Sequence, residues 1–373
     1  MKRKCHSFSR LVVKIGSSLI IDSDGSYAQD RIAAIAAEIG ELVKSGCEVL
    51  LVSSGAIGSG MTLLDQKKRP VTLPERQATA AIGQSRLMHF YEELFRPHGI
   101  LVAQLLLTRE GLDDRQRYLN VRNTILTLLQ MGNVVPIMNE NDSVAVDEIR
   151  VGDNDNLSAA ISAKVSADML VLLTDVEGLC TRHPESGALS DEVISEIKTI
   201  DENVWSLAGG TDGKTTVGGM ATKIEAAVTA SRAGCAVVIA NGSRPNVLTD
   251  IYKGEPVGTL FHPAESAISS RKRWIAGLAA KGIITVDDGA VKALRVKGRS
   301  LLPSGILSVE GGFEVGDGVS IAASDGAEFA RGLANYSAED IDRIKGNHSE
   351  RIEDILGAMP YPEIVHRDNM TVL

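Results

Sequence analysis

LVVKIG (Leu11–Gly16) is a short apolar run that ends in glycine, and it predicts a buried β-strand. YAQDRIAAIAAEIGELVKSG (Tyr27–Gly46) has the amphipathic pattern of a helix, and Gly46 stands just beyond its predicted end. CEVLLVSSG (Cys47–Gly55) is the next apolar run and predicts a second strand. Strand, helix and strand in this order are typical of a crossover unit in a parallel sheet.

The same alternation continues through the first two-thirds of the chain. We predict strands at Ile100–Thr108, Asn133–Asn139, Asp168–Asp175 and Cys235–Asn241, and helices at Pro74–Phe95, Asp114–Met131 and Met220–Ala233. Together these elements predict a three-layer αβα sandwich around a mainly parallel sheet. Small or acidic residues follow four of the strands, and ligands of such sheets bind beyond the carboxyl ends of the strands. The sequence therefore predicts one shared cleft at this edge.

The pattern changes after about residue 270. Short alternating runs separated by glycines predict a small β-barrel or sandwich, and Ser337–Gly346 predicts a capped helix. We therefore predict two domains, residues 1–270 and 271–373, joined near SSRKRWIAG (Ser269–Gly277).

Bulk composition narrows the class of protein. The 373 residues are 44% hydrophobic but only 4% aromatic, which suits helices packed on a buried parallel sheet. The net charge of -9 argues against nucleic acid or an anionic membrane as a partner. The four cysteines are widely spaced and lack the pattern of a disulfide framework or zinc site. Because no segment has the roughly 20 apolar residues of a membrane helix, we expect a soluble, cytoplasmic protein.

Three small-residue loops follow predicted strands or precede a predicted helix. LVVKIGSS places Lys14 inside an apolar strand, where a lysine is costly unless it is paired or faces a ligand. SSGAIGSG (Ser53–Gly60) could bind an anion at the N-terminus of a helix that follows it, although turn formation alone would also explain its glycines. TTVGGMATK (Thr215–Lys223) runs into a predicted helix that carries Lys223, and Gly218 and Gly219 would allow a ligand to approach closely; the alternative is a flexible loop with one exposed lysine. Neither the P-loop pattern nor a Rossmann glycine motif after the first strand is present.

Two further stretches are dense in carboxylates and amides. MNENDSV (Met138–Val144) and VGDNDNLSA (Val151–Ala159) lie close together in the chain, and both are flanked by apolar runs. Either stretch could be a loop, and we predict that Asn156 and Ser158 cap the helix that follows the second one.

The ordered set VVKIGSS, VSSGAIG, NENDSV, VGDNDNLSA, LLTDVEGL and GGMATK resembles the amino-acid kinase family. The glycine-rich C-terminal segment is similar to the PUA domain that many bacterial members append. The resemblance covers nearly the whole chain. It implies transfer of a phosphoryl group from ATP, with Mg²⁺, to the γ-carboxylate of L-glutamate, which gives L-glutamyl 5-phosphate in the first step of proline biosynthesis.

The resemblance also implies roles for individual residues. The catalytic residues would be Lys14 and Lys223, which flank the transferred group, and Asp155, which orients both lysines. The substrate would be bound by Ser54, Asp142, Asn154 and Asp153. The nucleotide would contact Lys14, Thr174, Asp175, Val217, Gly218, Gly219, Met220, Ala221, Thr222 and Lys223. Val217 departs from the threonine common in the family, which puts in doubt a side-chain contact to ATP there.

The remaining expectations concern the metal ion, an inhibitor and the oligomeric state. We expect ATP to deliver Mg²⁺, and we assign no protein ligand to the metal. The family further implies feedback inhibition by proline and a homo-oligomer, either a dimer or a tetramer.

Three alternatives remain open at the level of sequence. Another activity of the family, on aspartate, acetylglutamate, carbamate or UMP, would use the same lysines and glycine loops. RNA binding through the PUA-like domain is a different class of function, but residues 281–373 hold ten Lys/Arg against fifteen Asp/Glu, a net charge of -5. A regulatory pseudokinase is the third alternative, and the presence of Lys14, Asp155 and Lys223 argues against it.

Overall fold

The structure is a computed structural model, and it describes residues 3, 8–108, 115–144, 153–182, 189–208, 219–264 and 279–373. The chain divides into two compact units, Met1–Ala267 and Ile268–Leu373. The predicted joining segment, Ser269–Gly277, lies outside the described residues. Among the described helices, none is both long enough and apolar enough to cross a membrane.

The first unit is built on an eight-stranded sheet. In chain order its strands are β1 (Arg10–Ile15), β2 (Glu48–Ser53), β3 (Leu101–Leu107), β4 (Val134–Glu140), β5 (Met169–Thr174), β8 (Glu196–Ile197), β9 (Ala236–Asn241) and β10 (Thr259–Phe261). The spatial order is β3-β4-β2-β1-β5-β9-β10-β8. The first six strands of this order are parallel, whereas β10 runs antiparallel to β9. Between β5 and β8 in the chain, β6 (Cys180–Arg182) and β7 (Leu189–Val193) form a separate antiparallel pair.

Helices cover both faces of the sheet. They are α1 (Ser17–Ile20), α2 (Gln29–Lys44), α3 (Ala56–Leu63), α4 (Leu73–Phe95), α5 (Arg115–Gln130), α6 (Asp153–Val165), α7 (Glu202–Leu207), α8 (Met220–Arg232) and α9 (Val247–Tyr252), with a 3₁₀ turn at Arg96–His98. One apolar core packs α2, α4 and α9 against the sheet, and a second packs α5, α6 and α8 against its other face. This arrangement confirms the predicted three-layer sandwich around a mainly parallel sheet.

The alternation of β1 determines where its lysine points. Leu11, Val13 and Ile15 pack in the core beneath α2, whereas Val12 packs in the core on the opposite face. Successive side chains of a strand point to opposite faces, so Lys14 shares the face of Val12. This is the layer that contains α6 and α8.

The predicted elements differ from the observed ones mainly at their ends. The helix predicted at Tyr27–Gly46 runs from Gln29 to Lys44, and Gly46 follows it with a positive φ of 90°. The interpretation of Val151–Ala159 as a loop with two caps is wrong, because α6 already begins at Asp153. Asn156 and Ser158 therefore lie inside the helix, and the Ser158 hydroxyl donates to the carbonyl oxygen of Asp155 at 2.6 Å.

The second unit is β-rich, as predicted, and holds a five-stranded sheet of order β12-β11-β13-β14-β15. Its strands are β11 (Gly282–Val286), β12 (Ile306–Gly311), β13 (Gly318–Ala322), β14 (Glu328–Leu333) and β15 (Met370–Val372). Its helices are α10 (Asp288–Arg295), α11 (Ala338–Ile344) and α12 (Ile352–Leu356), with 3₁₀ turns at Pro303–Gly305, Ser349–Arg351 and Arg367–Asn369. Ser337 caps α11 as predicted, because its hydroxyl accepts a hydrogen bond from the Asp340 amide. The unit has an apolar core of its own.

Candidate active site

The carboxyl ends of four neighbouring parallel strands bring polar side chains together. The strands β4, β2, β1 and β5 are adjacent in this order. Asn139 lies near the end of β4, Ser53 ends β2, Lys14 precedes the last residue of β1, and Thr174 ends β5. All four of these side chains are buried. The shared cleft predicted from the sequence therefore has a structural basis at this edge of the sheet.

A carboxylate joins two buried lysines at the centre of this edge. Lys14 Nζ lies 2.7 Å from Asp155 Oδ1, and Lys223 Nζ lies 3.2 Å from Asp155 Oδ2. Lys14 is 5% exposed, Lys223 is 7% exposed and Asp155 is 0% exposed. Because these three charged groups are buried, the interactions between them are stronger than they would be at the protein surface. Two cations flank one anion. The cluster thus carries a net positive charge that a bound anion would neutralise.

The burial of this cluster shifts the proton affinities of its members. Burial lowers the pKa of Lys14, and the carboxylates of Asp155 and, to a smaller degree, Asp175 act against that effect. Burial opposes ionisation of Asp155, but the attraction of Lys14 and then of Lys223 brings the pKa of this carboxyl below its ordinary value. Asp155 is therefore ionised at neutral pH and holds both ammonium groups in place.

The N-terminal turns of two helices place Asp155 and Lys223 beside Lys14. Asp155 lies in the first turn of α6, and Lys223 lies in the first turn of α8, which starts after Gly219. The Thr222 hydroxyl donates to Asp155 Oδ2 at 2.9 Å, so the beginning of α8 is tied to the beginning of α6. Both helix starts carry partial positive charge from unpaired amide groups, which favours anions at this place.

A second cluster, made of amides, lies on the β2 and β4 side of the lysines. Asn154 Nδ2 lies 3.1 Å from the Ser53 carbonyl oxygen, 3.0 Å from Ser54 Oγ and 2.9 Å from Asn139 Oδ1. Asn139 Nδ2 in turn donates to Gln84 Oε1 at 2.8 Å. The structure therefore brings the predicted substrate residues Ser54 and Asn154 into direct contact.

For the other two predicted substrate residues, Asp142 and Asp153, the structure gives fewer contacts. Asp142 follows β4 and lines a cavity of about 350 Å³ together with Gln84 and Glu140. The backbone of Asp153 opens α6, whereas its side chain lies outside the described residues.

The predicted nucleotide residues lie on the β5 side of the lysines and at the start of α8. Thr174 is buried at the end of β5, and its hydroxyl donates to Asp175 Oδ1 at 3.0 Å. Gly16, directly after β1, donates its backbone amide to the Leu173 carbonyl oxygen at 3.2 Å, which ties the two strand ends together. Gly219 precedes α8, and Met220, Ala221 and Thr222 are its first residues. Val217 and Gly218 lie outside the described residues.

Sequence reasoning missed Gln84 and did not assign a role to Asn139. Asn139 was visible as part of a polar strand end, so its position at the site could have been inferred. Gln84 lies within the 23-residue helix α4, and its spacing gives no signal of a contact 55 positions away. The roles assigned to individual site residues stay predictions.

A resident metal ion would need several carboxylate, imidazole or thiolate ligands close together. Within the described part of the chain, no group of three His, Cys, Asp or Glu side chains could hold a metal ion. Magnesium needs few protein ligands when it is bound mainly by nucleotide phosphates and water. The supply of Mg²⁺ by ATP stays a prediction.

Comparison with known proteins gives matches along nearly the whole chain. Residues 9–241 match the model of the amino acid kinase family, and residues 282–356 match that of the PUA domain. The protein named Glutamate 5-kinase from Moorella thermoacetica is 49% identical over 366 residues, which are 98% of this chain and 96% of that protein. The same name belongs to a protein of Caldanaerobacter subterraneus subsp. tengcongensis, 46% identical over 98% of both chains. It also belongs to a protein of Dehalococcoides mccartyi, 43% identical over 100% of both chains.

Proposed function

The chain belongs to the amino acid kinase family, and we propose that it phosphorylates the γ-carboxylate of L-glutamate with ATP. The product is L-glutamyl 5-phosphate, and the reaction opens proline biosynthesis. The full-length relatives at 43–49% identity, all named Glutamate 5-kinase, support this substrate. The observation in the structure that carries the proposal is the buried pair of lysines joined by Asp155.

The lysine pair suits transfer of a phosphoryl group. In the transition state, negative charge spreads over the equatorial oxygens of the group in flight, and catalysis consists mostly of positioning and electrostatic stabilisation. Lys14 comes from the sheet and Lys223 from the start of α8, so the two cations approach this group from different elements. Asp155 fixes both ammonium groups before the substrates arrive, which removes a reorganisation cost from the reaction.

The reaction needs no general base. The γ-carboxylate of glutamate is already ionised at pH 7 and is itself the nucleophile. One of its oxygens forms a bond to the γ-phosphorus of ATP while the bond from that phosphorus to the bridging oxygen breaks. ADP leaves with the electron pair of that bond. Magnesium bound to the nucleotide would neutralise phosphate charge, and the lysines supply the remaining positive charge.

The substrates would occupy opposite sides of Lys14. The amide cluster around Asn154 lies on the β2 and β4 side, and its amides and hydroxyl suit the charged groups of glutamate. Asp142 adds a carboxylate for the substrate's ammonium group. Thr174 and Asp175 lie on the β5 side, where ATP would bind with its phosphates directed towards the lysines.

Several narrower expectations stay predictions within this proposal. They are the use of Mg²⁺, inhibition by proline, assembly into a dimer or tetramer, and a cytoplasmic location. The names of the relatives favour glutamate over the other acceptors of the family, and they do not favour RNA binding as the main role.

The experiment that tests the proposal measures ATP turnover with magnesium and four acceptors offered in parallel. These are L-glutamate, L-aspartate, N-acetylglutamate and UMP, with hydroxylamine present to trap an acyl phosphate as the hydroxamate. We expect ADP release that depends on glutamate and is matched by γ-glutamyl hydroxamate. Turnover with a different acceptor, or with none of the four, would contradict the proposed function.

A further inference from the structure

The orientation of the Asn154 amide is fixed by a backbone group. The carbonyl oxygen of Ser53 can only accept a hydrogen bond, so the Asn154 atom 3.1 Å away from it must be the donor Nδ2. The Oδ1 atom of Asn154 then points away from β2. This atom is buried and, among the residues that the structure describes, has no hydrogen-bond partner. A buried acceptor without a partner is costly, so this oxygen suits a donor that arrives with a ligand.

The orientation of the Asn139 amide is fixed in the same way. The backbone amide of Glu140 can only donate, and it donates to Asn139 Oδ1 at 2.9 Å. The same oxygen accepts from Asn154 Nδ2 at 2.9 Å, so Asn139 Nδ2 must face the opposite direction. There Asn139 Nδ2 donates a hydrogen bond to Gln84 Oε1 at 2.8 Å. The three amides thus form a chain with one direction, from Asn154 through Asn139 to Gln84.

Backbone packing holds Gln84 at a fixed distance from this chain. Its neighbour Gly83 touches the start of α3 so closely that an added Cβ would lie 1.8 Å from the Ala56 carbonyl oxygen. Helix α3 begins at Ala56, two residues after Ser54. The position of Gln84 on α4 is therefore tied directly to the end of β2, where Asn154 also binds.

We propose that Gln84 is a positioning residue for the amino acid substrate. It acts through Asn139 and keeps Asn154 Oδ1 directed at the α-ammonium group of bound glutamate. The inference rests on the proposed function, because it assumes that an amino acid binds at Asn154. Nothing in the family resemblance or in the comparisons assigns a role to Gln84.

The role follows from the buried state of Asn139, which is 3% exposed. Without an acceptor at position 84, Asn139 Nδ2 is left buried without its Gln84 partner, and this cost favours a shift of the side chain towards another acceptor. Such a shift displaces Asn139 Oδ1, one of the three acceptors of Asn154 Nδ2, so the direction of Asn154 Oδ1 is held less precisely by the two that remain. The loss weakens binding of the ammonium group, whereas the lysine cluster and the nucleotide side keep their own contacts.

The test compares steady-state kinetics of four forms of the full chain in the hydroxamate assay. Gln84→Leu removes the acceptor, and Gln84→Glu keeps an acceptor at the same reach. Glu92→Gln is the matched control, because Glu92 is exposed on the same helix and does not line the cavity that Gln84 shares with Asp142. We expect Gln84→Leu to raise the KM for glutamate about three- to tenfold, the range of one net hydrogen bond. The kcat and the KM for ATP should change less than about twofold, and Gln84→Glu should restore most of the affinity.

A substrate analogue separates positioning from general disturbance of the site. Glutarate lacks the ammonium group, so its inhibition constant should be the same in the wild-type enzyme and in Gln84→Leu. A loss of glutarate affinity as large as that of glutamate would overturn the inference. So would an unchanged KM for glutamate in Gln84→Leu, or a Gln84→Glu variant as weak as Gln84→Leu. If circular dichroism shows that Gln84→Leu misfolds, Gln84→Asn takes its place, because it keeps an amide but shortens the reach by one methylene.

The inference and the proposed function fail in different ways. A wild-type enzyme that does not phosphorylate glutamate would remove the proposed function itself. An active wild-type enzyme whose glutamate KM is insensitive to position 84 would remove only the role of Gln84.

Discussion

Replacing Asp155 with asparagine keeps the shape of the side chain and removes the negative charge between two buried ammonium groups. In the wild-type structure, the ammonium nitrogens lie 2.7 and 3.2 Å from the carboxylate oxygens. At these distances and an effective dielectric constant of about 20, each attraction amounts to about 5 kcal/mol before desolvation is subtracted. Since the two ammonium groups stay buried in the variant without their counter-charge, the net loss of stability should be about 3–5 kcal/mol.

The variant should also change how the enzyme depends on pH. Asp155 acts against the effect of burial on Lys14, so its removal should lower the pKa of Lys14 further. A lysine whose pKa is lowered loses its proton, and with it the charge that stabilises the transition state, at a lower pH. Activity of Asp155→Asn should therefore fall as pH rises, and it should fall at a lower pH than activity of the wild type. Its stability deficit should be largest near neutral pH, where Asp155 of the wild type is ionised. The deficit should shrink at acid pH as that carboxylate is protonated, and at alkaline pH as Lys14 becomes neutral.

Two assays check these expectations. Urea unfolding followed by circular dichroism gives the loss of stability, and the hydroxamate assay from about pH 6 to about pH 10 gives kcat and its pH profile. We expect kcat at neutral pH to fall by about 10²–10³-fold, as when one preorganised electrostatic group is lost. Asp30→Asn is the control, because Asp30 is an exposed aspartate in the first turn of α2. A variant with wild-type kcat and an unfolding free energy within about 1 kcal/mol of the wild type would refute the reasoning.

Three further substitutions test other parts of the site and of the fold. Lys223→Ala should lower kcat about 10²–10³-fold with little change in the KM for glutamate, and a near-normal kcat would remove Lys223 from the reaction. Asp142→Ala should mainly raise the KM for glutamate, by about tenfold or more, because the ammonium group loses a charged partner; an unchanged KM would place the substrate elsewhere. Gly60→Ala should lower the free energy of unfolding by about 2–3 kcal/mol in a urea titration, because its Cβ would lie 1.9 Å from the Thr79 carbonyl oxygen. Gly58→Ala on the same helix meets the flexible Ile21 side chain at 3.1 Å, and an equally large effect there would contradict the argument.

The layered fold could be predicted from the sequence because its signals are local. The apolar run before Gly16 and the helical spacing of Tyr27–Gly46 each occupy one short segment, and their alternation specifies a parallel sheet. Lys14 could be singled out for a similar reason, since a lysine inside an apolar strand calls for a partner. The identity of that partner came only from the family resemblance, because Asp155 lies 141 positions away in the chain.

The start of α6 could not be placed correctly because its first residues are ambiguous. Aspartate and asparagine are favoured both in turns and at the N-terminal ends of helices, so the run from Asp153 to Asn156 is compatible with either. The structure shows a helix whose first turn contains Asn154 and Asp155. The consequence is functional, because a helix turn holds these two side chains at a fixed separation, whereas a loop would not.

The order of the strands gives a reason why the lysine belongs on β1 and not on a neighbour. The central strands run β4-β2-β1-β5, with the amide cluster at the ends of β4 and β2 and the threonine–aspartate pair at the end of β5. In the proposed reaction, the acceptor lies on one side of this line and the nucleotide on the other, so the transferred group must pass the end of β1. A cation at this point lies where the transferred group passes from the nucleotide to the acceptor. Positive charge at this place stabilises the transition state. An interaction that is stronger in the transition state than in the ground state raises kcat.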